Sequence, residues 1–354
     1  GASKVFLVTD PGVRRSGWTS AVEESLNQAG VPYVVFDGIT PNPKDYEVME
    51  GGDLCREEGC DLIVAVGGGS PMDCAKGIGV VVGNPAGILE FEGVDMVPEP
   101  GPPLIFVPTT AGSAADVSQF AIITDSVRKV KIAIISKMVI PDIALIDPAT
   151  TTTMTRELTA ATGMDALSHA FEAFVSTASS PLTDMAALNA VGLIIDNLPQ
   201  ACAFPEQMIF REKMMTASLM AGLAFSNASL GLVHAMAHSL GGALGLAHGQ
   251  CNALLLEKVA AFNYPASPEK YDRLAGAVNR KSHDWPREQR GSLLADSLAA
   301  FRKNLGIDQQ LSALGVTLDD IPGLAEHAFD DPCLATNPTQ ADIESIAALY
   351  RELL

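Results

Sequence analysis

The sequence predicts an α/β N-terminal domain built on a parallel sheet, followed by an all-α C-terminal domain. Three observations predict it. Early in the chain, short β-branched runs alternate with helical patterns in a β-α-β-α-β order, which sets helices against a parallel sheet. Those runs are apolar almost throughout, as strands buried on both faces are. Beyond residue 155 strand signals nearly vanish and long helical periodicities replace them.

Each element has its own signal. Lys4 to Thr9 (KVFLVT) reads as a strand ending at Asp10, and Trp18 to Ala29 as a helix closed by Gly30. Pro32 to Phe36 is a second strand, followed by Asp37-Gly38 and the turn-rich Pro41-Asn42-Pro43. A helix over 44–58 leads to a third strand, Asp61 to Val66, then to a glycine run and another helix. Further strand-like runs are Leu104 to Val107, Ala121 to Thr124, Ile132 to Ile135 and Ile143 to Ile146. Asp147-Pro148 and the threonines 150–153 mark a boundary, giving domains 1–154 and 155–354. Helices are expected over 155–178, 182–198, 208–225, 230–243, 249–263, 268–280, 287–305 and 340–353. The cleft between two such domains is the expected ligand site.

Charge and composition narrow the function. With 42 acidic against 23 basic residues the net charge is −19, which repels phosphate-rich partners, so neither nucleic acid nor an anionic membrane is expected to bind. No apolar run reaches the ~18–20 residues that span a bilayer. The opening GASKVFLVTD lacks a signal-peptide pattern and enters a strand at once, so a native segment before it is expected. Cysteines 55, 60, 74, 202, 251 and 333 form no CxxC pair, which fits reduced thiols in the cytoplasm better than disulfides or thiolate zinc.

Two segments could hold a nucleotide. Gly67-Gly68-Gly69-Ser70-Pro71-Met72-Asp73 joins a strand to a helix. Its glycines permit positive φ and close approach, Ser70 could cap the helix, and Asp73 could complete a capping box. Free N–H groups at such a helix start favour phosphate, although a well-capped turn that binds nothing has the same pattern. It is neither GxGxxG, since Met72 replaces the third glycine, nor a P-loop. Asp10 and Asp37 end strands, where a carboxylate can accept from a ribose and repel a 2′-phosphate. The second segment, Pro108-Thr109-Thr110-Ala111-Gly112-Ser113, follows the strand at 104–107. Lys131, at the start of a later strand, could reach a ribose or phosphate.

The histidines carry the strongest signal. Asp165 and His169 are four apart and share one helix face, with Glu172 continuing a polar stripe opposite Leu167, Phe171, Phe174 and Val175. His234 and His238 are one turn apart, and Gly241, Gly242 and Gly245 permit a break that returns His248. Burying these groups without partners is costly, and a divalent cation removes the cost. Mixed nitrogen and oxygen donors suit Fe²⁺, Zn²⁺, Co²⁺ or Ni²⁺. HAMAH lacks the glutamate of HExxH, and no GxSxG is present, which leaves a metal beside a nucleotide and redox at a carbon–oxygen bond.

These stretches resemble the iron-dependent (group III) alcohol dehydrogenases. The likeness rests on LVTD (7–10), DGITPNP (37–43), GGGSPMDCAKGIG (67–79), PTTAGSAADV (108–117), ATGMDALSHAFEAF (161–174), GLVHAMAHSLGGALGLAHG (231–249) and DDPCLATNP (330–338). The resemblance implies a Rossmann-like N-terminal domain and a metal-dependent, NAD-linked enzyme. It would move a hydride between NAD(H) and a small primary alcohol, diol or aldehyde, as a homodimer or larger assembly. It implies Asp165, His169, His234 and His248 as ligands of Fe²⁺ or Zn²⁺, with His238 close by as a catalytic proton-relay group. Asp10 would hold the adenosine ribose, with Asn42, Gly68, Gly69, Ser70 and Asp73 along the dinucleotide. Thr109, Thr110, Ser113 and Lys131 would complete that lining. Phe120, Phe225 and Cys333 match substrate-pocket positions. Phe120 stands where the family's lactaldehyde enzyme has a polar residue, and the loop GALGLAH is small, so a roomy apolar pocket is implied. Other functions on this fold are a dehydroquinate-synthase-like lyase or a dehydrogenase of a phosphorylated substrate, both needing basic residues that these motifs scarcely supply. A non-catalytic metal- or NAD-binding protein is the third reading.

Overall fold

In the computed structural model, which describes residues 1–354, the chain falls into two units, Gly1–Thr153 and Met154–Leu354. The first opens with β1 (Val5–Val8), α1 (Pro11–Ser16), α2 (Trp18–Ala29), β2 (Tyr33–Phe36), α3 (Asp45–Glu57), β3 (Leu62–Gly67) and α4 (Gly69–Gly83). After it come β4 (Gly93–Val94), β5 (Leu104–Pro108), β6 (Phe120–Asp125), β7 (Val130–Ile135) and β8 (Ile143–Ala144). Five strands form a parallel sheet in the order β2-β1-β3-β5-β8. In it β1 is wholly buried and β3 is buried from Ile63 on, because Phe6, Val8, Ile63 and Ala65 pack into one core and Val5, Leu7, Val64 and Val66 into another on the opposite face. The runs near 121 and 132 do not join this sheet. They pair as an antiparallel hairpin, β6 with β7, and β4 adds to β7.

The chain leaves β1 toward β2 on one side and toward β3 on the other, so the strand order reverses between β1 and β3. Open α/β sheets bind ligands at the carboxyl ends of strands at such a reversal.

The second unit contains no strand. Its helices are α5 (Arg156–Val175), α6 (Pro181–Ala203), α7 (Met208–Ala228), α8 (Leu232–Leu244), α9 (His248–Asn263), α10 (Pro268–Val278), α11 (Arg290–Asn304), α12 (Ile321–Phe329) and α13 (Ile343–Arg351). Thr155, Ser180 and Asp342 cap α5, α6 and α13 by accepting N–H bonds from the first turn. The helix α5 packs against α6, α7 and α9 and is buried from Gly163 to Val175. It therefore has no solvent-facing side, and its polar stripe looks onto other buried polar groups. The helix α12 was not expected. Pro322 and Gly323 in its first turn are poor helix formers and mask its periodicity.

No single helix is long and apolar enough to cross a membrane; only the pair α7 and α8, bent by 101°, passes together by length and composition.

Candidate metal centre and nucleotide-binding edge

In the N-terminal unit the nucleotide candidates gather along the carboxyl edge of the sheet. Asp10 follows β1, the glycine run follows β3, and Thr109 follows β5, with its N–H donating to Gly67 O at 2.8 Å. Asp10 also caps α1, accepting from the Gly12 and Val13 N–H groups at 2.7 and 3.0 Å. Asp37, the alternative acidic residue, is ion-paired with Arg14.

The glycine run provides positive φ, at Gly67 (159°), and close approach, but the cap differs from the one expected. Gly68, not Ser70, is the N-cap of α4, and its φ is −87°. A Cβ on Gly68 would lie 3.0 Å from Thr110 Cγ2, and one on Gly69 would lie 3.1 Å from Ser113 Cβ. These glycines are thus needed for close approach, letting the start of α4 lie against the 109–113 loop. Ser70 lies within the first turn, and its Oγ accepts from Asn42 N–H at 3.2 Å. Asn42 adopts a left-handed φ of 57°, which asparagine tolerates better than most residues. Asp73 lies one residue beyond Met72 on α4 and is half-buried; Lys131 sits on β7 opposite Thr124.

The buried Lys76 ties these parts together. It donates to Ser118 O at 2.8 Å and Phe120 O at 2.7 Å, fastening α4 to the segment that follows the 109–113 loop. Burial pulls its ammonium down to about 8, against the opposing pull of Asp73 and Asp116. Phe120 is buried at the start of β6.

In the helical unit the structure brings Asp165, His169, His234 and His248 together. One donor atom from each lies within 4.8 Å of the others. Asp165 and His169 come from α5, His234 from α8 and His248 from the first residue of α9. Of the three glycines, Gly245 alone lies in the break between α8 and α9, at a left-handed φ of 68°; Gly241 and Gly242 stay helical. Gly249 lets α9 meet α5, since a Cβ there would lie 2.4 Å from Ala161 O.

The spacing can be tested against a cation. Ligands placed tetrahedrally at ~2.1 Å from a first-row metal lie about 3.4 Å from one another. Asp165 Oδ1 lies 3.6 Å from His248 Nε2 and 3.9 Å from His234 Nε2. Three imidazoles and a carboxylate so disposed fit a divalent cation with borderline ligand preference.

Supporting groups surround this set. Glu172 Oε1 accepts from Val233 N–H at 2.5 Å, and Oε2 accepts from His234 N–H at 3.3 Å. His234 Nδ1 faces Oε2 at 2.5 Å, and with Nδ1 as the donor the Nε2 lone pair is turned toward Asp165. Burial pushes the Glu172 carboxyl up to about 7, against the N–H groups of Val233, Gly231 and His234. Gly231 is required here, because a Cβ would come within 3.0 Å of Glu172 Oε1. His169 is stacked between Phe225 and His234, with centroids 4.4 and 4.5 Å away.

His238 stands beside this set rather than in it. Its Nδ1 lies 2.8 Å from Asp331 Oδ2, and its ring stacks on His248 at 5.2 Å. Burial would raise the Asp331 carboxyl, but His238 and the Cys333 N–H more than offset it and hold it below the ordinary range. Asp331 thus holds His238 through Nδ1, and Nε2 is the ring nitrogen outside that pairing. Cys333 lies next to both, wholly buried, and burial raises its thiol.

Sequence reasoning named the four clustered residues but not all their supports. Glu172 was visible as part of a stripe. Asn252 and Asp331 were not singled out, although Asp331 lies in a quoted motif. The spacing of Asn252, one turn beyond His248, was the available signal.

Comparison with known proteins agrees with this architecture. The family model described as iron-containing alcohol dehydrogenase matches residues 1–148, and the C-terminal model of the Fe-containing alcohol dehydrogenase family matches residues 159–354. The chain belongs to the iron-containing alcohol dehydrogenase family, whose members are alcohol oxidoreductases. Among its relatives is the 1,3-propanediol dehydrogenase of Citrobacter freundii, 42% identical over 99% of this chain and 92% of the relative. The NAD-dependent methanol dehydrogenase of Bacillus methanolicus is 38% identical over 100% of this chain and 93% of the relative. A crystal structure of 1,3-propanediol oxidoreductase superposes with a TM-score of 0.96 at 41% identity, covering 100% of this chain and 93% of that one.

Proposed function

We propose that the protein is a metal-dependent, NAD-linked alcohol dehydrogenase and aldehyde reductase acting on small primary alcohols, diols or the matching aldehydes. The observation that carries this reading is the converging set of buried Asp165, His169 and His234 with half-buried His248, a cation-binding donor set in a family of alcohol oxidoreductases. The unit Gly1–Thr153 is the dinucleotide-binding part, and Met154–Leu354 the part that holds metal and substrate.

When bound, the cation, Fe²⁺ in our reading, supplies Lewis acidity toward a substrate oxygen, and NAD supplies the hydride acceptor. The chain's own residues do the rest. Glu172 fixes the His234 tautomer, and Phe225 holds the His169 ring in place. Burial of Asp165, His169 and His234 keeps water from that side of the donor set, which strengthens the charge interactions there. Oxidation of an alcohol releases one proton from the hydroxyl, and His238 Nε2, freed by the Asp331 pairing of Nδ1, is the group that accepts it; reduction returns it. Phe225 and Cys333 bound the substrate side. Asp10 selects NAD over NADP, since its carboxylate would repel a 2′-phosphate. Asn42, Ser70, Asp73, Thr110, Ser113 and Lys131 line the dinucleotide with the Gly68 and Gly69 backbone.

Six free, buried thiols support a reducing compartment, the cytoplasm, and family membership supports self-association. The test is NADH formation from NAD with ethanol or 1,2-propanediol, run anaerobically on chelator-stripped protein with Fe²⁺ or Zn²⁺ restored. Turnover restored by Fe²⁺ is expected. No turnover with either metal, despite NAD binding, would overturn the reading.

A further inference from the structure

One side chain at the metal centre has no role in the reading above. Asn252 lies one turn beyond His248 on α9 and is wholly buried. Its Nδ2 donates to Asp165 Oδ1 at 2.6 Å. The same nitrogen lies 3.1 Å from His234 Nε2 and 3.2 Å from His248 Nε2. Its carbonyl Oδ1 is buried and has no hydrogen-bond partner. The amide is therefore oriented by the donor set alone. It offers two N–H bonds to three converging atoms, one of them a carboxylate oxygen.

That arrangement has a consequence for the carboxylate. Asp165 is buried among imidazoles, and a ligating carboxylate keeps its direction only when a second group holds it. The Asn252 amide is the side chain placed to do so. We propose that Asn252 is a positioning residue for the cation. Its amide gathers Asp165, His234 and His248 before the cation arrives, and retains Asp165 once the cation has taken over the two imidazoles. The inference rests on the metal-binding reading of this site.

The experiment compares chelator-stripped wild type, Asn252→Ala and Asn252→Asp. Zn²⁺ is titrated in by calorimetry, and thermal unfolding is recorded with and without the metal. Wild type should bind one equivalent. Asn252→Ala should bind one equivalent about 10–100-fold more weakly, the usual consequence of losing a group that orients a ligand. Asn252→Asp keeps the size of the side chain but turns a donor into a second carboxylate facing Asp165. Without metal it should unfold at a lower temperature than wild type, and Zn²⁺ should raise its unfolding temperature by more than it raises that of wild type. If Asn252→Ala misfolds, the Asn252→Asp comparison decides. An Asn252→Ala affinity within about twofold of wild type would overturn the proposal. So would a metal-free Asn252→Asp protein as stable as wild type. Failure of wild type itself to bind Zn²⁺ would overturn the metal reading and this inference with it, and would show in the wild-type arm alone.

Discussion

Replacing Gly249 with alanine tests how the fold builds the metal centre. A Cβ at this position would stand 2.4 Å from Ala161 O and 2.9 Å from Ala161 C, both backbone atoms of α5. Ordinary contact begins near 3.4 Å, so the start of α9 must retreat from α5 by about 1 Å. Overpacking of this kind typically costs about 1–3 kcal/mol. In a unit of this size that corresponds to roughly 2–12 °C of unfolding temperature. The more specific effect is on geometry. His248 opens α9 and its Nε2 lies 3.6 Å from Asp165 Oδ1 on α5. A shift of about 1 Å far exceeds the ±0.2 Å within which metal–ligand distances hold. The Gly249→Ala protein should therefore bind Zn²⁺ at least about 10-fold more weakly than wild type in calorimetric titration. Gly276→Ala is the control: no atom lies within 4 Å of a Cβ there, and the gain should be about 0.5–1 kcal/mol with unchanged metal affinity. A Gly249→Ala protein with wild-type stability and affinity would refute the reasoning.

Two further predictions follow from single side chains. Asp331→Asn removes the carboxylate that fixes the His238 tautomer; kcat should fall about 100-fold while metal content stays at the wild-type level, and parallel loss of metal would contradict the assignment. Lys76 has its proton affinity lowered to about 8 by burial, so the unfolded chain holds that proton more tightly between there and the ordinary value of 10.5. Stability from this group must then rise with pH across the window. From pH 7.5 to 9.5, wild type should gain about 2 kcal/mol relative to Lys76→Met in denaturant unfolding, and parallel pH profiles would contradict it.

What the sequence revealed divides along a physical line. Local periodicity exposed β1, β3 and the long helices, because their apolar spacing is repeated over many residues. Asp165 and His169 were legible as one face for the same reason. Of the supports, Glu172 showed on that stripe but its partner did not, and Asn252 and Asp331 were not singled out, because each acts across long separations: Glu172 on His234, Asn252 on Asp165, Asp331 on His238. Nothing in a local window distinguishes such a residue from an ordinary polar one. The glycines of GGGS illustrate a second limit. Positive φ and close approach were both read from them, and Gly67 has φ +159°, but the groups that Gly68 and Gly69 approach, Thr110 and Ser113, lie more than forty residues away. Likewise α1 and α12 escaped notice because each has a Pro-Gly pair in its first turn, which reads as a turn.

The central claim is that Asp165, His169, His234 and His248 hold a divalent cation. It is tested most directly by anomalous diffraction from crystals of the anaerobically Fe²⁺-loaded protein, recorded at the iron edge. The account predicts one peak per chain, roughly 2.0–2.2 Å from one donor atom of each of these four residues. A peak on His238, Asp331 and Cys333 instead, or none at all, would contradict it.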